Sequence, residues 1–95
     1  MNEPTVWVFS GASETRKTVF PSGVFSSQEN AERWIEKHAL SGTRTMYRVD
    51  VPALDWAIEN GHFRPSKPHH ATPDFIAHFA GGDVHFHYKC GKRTN

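Results

Sequence analysis

The sequence predicts a small α+β domain in which a hairpin and two further strands form an antiparallel sheet, with one main helix and two short helices packed on it. Three observations carry that prediction. A β-branched and aromatic run opens the chain, a capped amphipathic helix occupies its middle, and an alternating strand lies near its end. The chain has 95 residues, a size suited to one hydrophobic core, and three Trp with seven Phe supply large rings to fill it. A single domain over 1–95 is expected, with an ordered core at 5–89 and a polar tail at 90–95.

Thr5-Val6-Trp7-Val8-Phe9 has the composition of a buried strand. Ser10 to Arg16 turns the chain, and Lys17 to Phe25 returns it with Val19, Phe20, Val24 and Phe25 around Pro21-Ser22-Gly23. Pro21 has no N–H to give a ladder, which puts it at an edge, a bulge or an unpaired position. Ser26-Ser27-Gln28-Glu29 reads as a capping box with Ser26 as the cap. Ala31, Trp34, Ile35 and His38 then recur at helical spacing and define one apolar stripe, ended by Ser41-Gly42. Thr43 to Val51 reads as the third strand. Asp50 is placed to cap a second helix with Pro52 in its first turn, Leu54, Ala57 and Ile58 buried, and Asn60-Gly61 at its end.

His62 to Ala71 holds two prolines without periodicity, the mark of a surface connection. Thr72-Pro73 opens a third helix, with Phe75, Ile76 and Phe79 inward until Gly81-Gly82. Asp83 to Lys89 is the last strand. Its period of two sends Val84, Phe86 and Tyr88 to the core face and His85, His87 and Lys89 to the other.

Eleven Lys and Arg against ten Asp and Glu leave a formal charge of +1, which gives no electrostatic basis for binding nucleic acid or an anionic membrane. The basic residues Arg16, Lys17, Arg44, Arg48, Lys89, Lys92 and Arg93 are scattered, although Arg44 and Arg48 share one face of their strand. Cys90 is the only cysteine, so no intramolecular disulfide can form and a reducing, cytoplasmic setting is expected. No apolar run approaches the ~18 residues of a membrane span, and neither anchor nor signal peptide is expected.

Two constellations bear on function. His85 and His87 stand at i and i+2, roughly 7 Å apart at Cα, a spacing at which two imidazoles can share one zinc or nickel ion if a third ligand arrives. His70 is the leading third ligand, with His69 and His78 as further candidates. The plain alternative, a solvated strand face, is favoured for so short a motif. Trp56, Phe63 and Arg64 form the second constellation, because Trp and Arg are enriched where binding energy concentrates in protein interfaces. Here the competing reading is that Trp56 and Phe63 complete the core. Cys90 has cationic neighbours in Lys89, Lys92 and Arg93, but an extended strand points it away from His87 and gives no Cys-His pair.

The motifs Phe20-Pro21-Ser22-Gly23-Val24-Phe25-Ser26-Ser27, Ala31-Glu32 with Trp34-Ile35 and Lys37-His38, Leu40-Ser41-Gly42, Asp55-Trp56-Ala57 and His85-Phe86-His87-Tyr88 span most of residues 6–88. In these the chain resembles a family of short uncharacterised bacterial proteins with a domain of unknown function. That resemblance implies one compact domain and no established activity. No phosphate-binding glycine loop, nucleophile elbow, CxxC pair or acid-base couple occurs, so a non-catalytic protein-binding module is expected, such as a cytosolic immunity or inhibitor protein. Metal binding or sensing through the histidines is the alternative expectation.

Overall fold

A computed structural model describes residues 4–12, 20–79 and 84–94. Val19, Gly81-Gly82, Asp83 and most of the predicted first turn lie outside them. Five strands, β1 Thr5–Gly11, β2 Pro21–Phe25, β3 Gly42–Arg48, β4 His85–Lys89 and β5 Lys92–Arg93, form one antiparallel sheet in the order β2-β1-β3-β4-β5. The helices are α1 Gln28–Lys37, α2 Ala53–Glu59 and α3 Pro73–His78, with a 3₁₀ turn at Pro68–Ala71. The fold is the predicted α+β class. No helix among the described residues is long and apolar enough to cross a membrane.

Strand alternation creates the core. Trp7 and Phe9 of β1 and Tyr88 of β4 are buried on one face of the sheet, beneath Ala31 and Ile35 of α1, both fully buried. The Trp34 ring stands edge-on to Phe9 at 5.6 Å and meets Phe25 at 5.4 Å, which binds α1 to the β1-β2 hairpin. Pro21 lies on the edge strand beside a bulge: Phe9 pairs with Gly23 and Ser10 with Pro21, leaving Ser22 as the extra residue.

At the centre of the inner face stands a charge. Phe9, Arg44 and Phe86 are cross-strand partners in one row, and Arg44 is completely buried. The face shared by Arg44 and Arg48 is thus the inner one. The Arg44 Cζ lies 4.6 Å from the Trp7 ring centre, 4.7 Å from Phe86 and 5.7 Å from Tyr88. Its Nη1 donates to the Gln28 carbonyl at 3.3 Å and to Glu32 at 3.5 Å, whereas Nε and Nη2 are buried with no hydrogen-bond partner among the described residues.

Several boundaries differ from expectation, each for a local reason. Ser27, not Ser26, caps α1, its Oγ accepting from the Asn30 N–H at 3.2 Å. The helix ends before Ser41-Gly42, at Ala39 with φ 52°, where Leu40 N donates to Ile35 O and Ala39 N to Glu36 O. That pair of bonds is a Schellman motif, and it carries Leu40 back to the core. Asp50 does not cap α2. It takes φ 65° in the turn after β3, and Pro52 occupies the cap position without a side-chain bond. His38 is exposed rather than buried, and Ile58 and Ile76 stay 41% and 48% exposed because α2 and α3 are too short to bury a full stripe.

The expected polar tail at 90–95 instead contains β5. Lys89 pairs with Lys92, so Cys90-Gly91 is a two-residue hairpin loop with both φ values positive, 50° and 86°. The Cys90 N–H donates to Ser41 Oγ at 2.9 Å and the Gly91 N–H to Leu40 O at 2.8 Å, which docks the hairpin on the end of α1.

Replacing Arg44 tests this core. Arg44→Met, which fills the volume without a charge, is expected to match or exceed wild-type stability within about 1 kcal/mol, while Arg44→Ala loses about 3 kcal/mol through the cavity it leaves. Urea denaturation followed by tryptophan fluorescence reads both. Gly42→Ala is expected to lose about 3 kcal/mol or more in the same assay, because its Cβ would collide with the Ser10 carbonyl and stand 2.7 Å from the Phe9 ring.

Candidate functional site

Two surfaces carry the chemically versatile side chains. The first is built by the segment from α2 to α3. Trp56 is half-buried on α2, with the Arg48 Cζ 3.8 Å from its ring centre and His62 stacked on it at 5.0 Å and 11°. Phe63 belongs to a separate ring cluster, in contact with His70 at 5.0 Å, Phe75 at 5.6 Å and Phe79 at 5.2 Å. Arg64 follows it on the exposed connection. The structure therefore assigns Trp56 and Phe63 to two neighbouring stretches of one segment but to different clusters, with Arg64 at its surface.

The turn at Pro68–Ala71 is why the segment is ordered despite its prolines. Thr72 caps α3, accepting from the Phe75 N–H at 3.2 Å, and its own hydroxyl donates to His69 O at 2.8 Å. The His70 Nδ1 accepts from the Ser66 N–H at 3.1 Å and the Lys67 N–H at 3.3 Å, taking the place of a capping oxygen. Burial of the ring lowers the His70 pKa below its ordinary 6.5, and the like charges of His69 and Lys67 act the same way.

The second surface is the sheet face opposite α1. Its cross-strand rows are Val24-Val8-Thr45-His85 and Pro21-Ser10-Thr43-His87, with Val6 opposite Tyr47 alongside. Val24 is 63% and Tyr47 43% exposed, and His85 and His87 are both exposed. The face is apolar toward β2 and carries hydroxyl and imidazole groups toward β4. The two imidazole centres lie 5.1 Å apart, and His87 Nδ1 stands 3.2 Å from Thr43 Oγ1. Sequence alternation placed His85 and His87 together, as expected. His70 is held in its own turn, and among the described residues no group of three or more His, Cys, Asp or Glu is placed to hold a metal ion.

The family model described as "Domain of unknown function (DUF7710)" matches residues 6–94, from β1 through β5. The chain belongs to this family. No curated protein and no solved structure matches it. The DUF7710 match takes in both surfaces and reaches past β4, so the short β5 hairpin is part of the matched domain.

Sequence reasoning missed Arg48 as the partner of Trp56 and His70 as the lock of the connection. Helical and strand periodicity carry no signal for either, since each contact joins residues outside a single element. The lock has a pH signature. A proton on Nδ1 would displace both backbone donors, and a histidine whose folded pKa is depressed leaves the unfolded chain to protonate first. Stability from this contact is therefore complete above pH 6.5 and declines as pH falls from 6.5 toward the lower folded value. In a histidine and amide NMR titration of the DUF7710 domain, the Ser66 and Lys67 amides should move together with the His70 ring at a midpoint below 6.5. His70→Ala should abolish that coupled transition.

Proposed function

We propose that this domain is a non-catalytic protein-binding module, of the kind exemplified by small cytoplasmic immunity or inhibitor proteins, that acts by covering a partner's surface. The observation that carries the reading is the Arg48-Trp56-His62 stack, a large ring and a guanidinium held together at the surface of α2. Such groups are largely ordered before contact, so little side-chain entropy remains to be lost on binding. Exposed Ile58 and Ile76 add apolar area on α2 and α3, and Arg64 on the intervening connection supplies a charge for orientation. In this reading Trp56 is the anchor, Phe63 holds the segment in shape, and Arg64 lies at the rim.

Capture from the native host on immobilised full-length chain tests the proposal. Wild type should retain one stoichiometric protein, and Ile58→Asp and Arg64→Glu should each weaken its binding at least tenfold, about 1.4 kcal/mol, without lowering Tm. Retention of no stoichiometric protein, or equal retention by wild type and both variants, would overturn it.

A further inference from the structure

We propose that the 3₁₀ turn and α3 form a flap that opens in acid: protonation of His70 detaches them from Phe63 while the sheet and α1 stay folded. This inference does not rest on the partner reading above. It stands on the hydrogen bonds of one imidazole and on how little else holds the flap in place.

From Gly61 to Phe79 no residue is buried, and only Phe63, His70, Phe75 and Phe79 are half-buried. The 3₁₀ turn and α3 contribute no buried side chain at all. Few apolar contacts oppose release of such a segment, which puts it at the low end of the local stabilities within one protein. Phe63 stands at the hinge. Its N–H and that of His62 donate to the Ala57 carbonyl at 3.1 and 2.8 Å, which ties both residues to α2, while its ring meets His70, Phe75 and Phe79.

His70 sits among these rings, 5.0 Å from Phe63 and 4.8 Å from Phe75 between centres. Its Nδ1 accepts from the Ser66 and Lys67 N–H groups, so the neutral ring carries its proton on Nε2. A second proton has no place on Nδ1 unless both bonds break. The surrounding charges oppose that proton as well. Lys67 and His69 flank the ring in its own turn, and Arg64 lies on the exposed connection. From α3 come Asp74 and His78, which are paired with each other at 3.4 Å. No carboxylate is paired with His70 among the described residues, and the open form takes the proton more readily than the closed one.

Loss of the Nδ1 contacts spreads along the chain. The 3₁₀ turn presents the His69 carbonyl to the Thr72 N–H and hydroxyl, and Thr72 in turn caps α3 through the Phe75 N–H. A helix of six residues does not persist by itself in water, so α3 goes with its cap. Opening bares Phe63, Phe75 and Phe79. The sheet is indifferent to it, since the core of Phe9, Ile35 and Tyr88, with Trp34, Leu40 and Phe86 around it, includes no residue of the flap.

Amide hydrogen exchange at about pH 7.5 and about pH 5, corrected for the intrinsic effect of pH, tests the proposal. Protection of the Thr72, Phe75 and Ile76 amides is expected to fall about tenfold in acid, while Met46 and Gly91 keep theirs and the dye ANS binds the acid form. His70→Asn, whose side-chain oxygen accepts the same N–H groups and takes no proton, should stay closed at both pH values, and His70→Ala should be open at both. His69→Gln, which removes a neighbouring charge and leaves the Nδ1 contacts in place, should make the acid fall smaller. No fall at α3, an equal fall at Met46 and Gly91, or an undiminished fall in His70→Asn or in His69→Gln would overturn the proposal.

Discussion

Filling the centre of the inner face, where the wholly buried Arg44 side chain stands, is the constraint that the packing of the sheet and α1 has to meet. A charge removed from water is costly unless its surroundings replace the lost hydration. Here the faces of Trp7 and Phe86 and the two acceptors from α1 do so. The requirement is geometric as well as energetic. It needs β1, β3 and β4 in a register that puts Phe9, Arg44 and Phe86 in one row, and α1 in a position that brings Gln28 and Glu32 overhead. Glu32 is 45% exposed, so most of the compensation comes from the rings and the Gln28 carbonyl rather than from the ion pair. Burial in the same cluster raises the Tyr88 pKa above its ordinary 10.0 against the opposing pull of Arg44.

Fixing the inner face fixes the outer one, because successive residues of a strand point to opposite sides. Once Phe86 and Tyr88 turn toward Arg44, His85 and His87 must turn away, beside Thr43 and Thr45. The Cys90-Gly91 loop secures that strand from its far end by bonding to Ser41 and Leu40, immediately after the Schellman turn of α1. The positions of the exposed imidazoles thus follow from the packing of the inner face and from the turn that ends α1.

The α2-to-α3 segment is organised differently. Its order comes from ring contacts around Phe63 and from imidazole nitrogen standing in for a cap at His70, with little support from backbone ladders. A segment held by side chains of this kind keeps its rings half-buried, near the surface.

By itself the sequence determined what depends on local period and local chemistry. The alternation from Val84 to Tyr88, the stripe through Ala31 and Ile35, and the Thr72-Pro73 start of α3 all follow from geometry within one element, and each is present in the structure. The edge position of Pro21 was legible too, since a missing N–H restricts a residue wherever it lies. Only the tertiary structure decided that Arg44 is interior, that Arg48 pairs with Trp56, that His70 closes its own turn instead of joining His85 and His87, and that Lys92–Arg93 is a strand. Each of these depends on a neighbour distant in the chain or in another element. A basic residue has the same composition signal at the surface as beneath three aromatic rings, and only the arrival of those rings makes its burial tolerable.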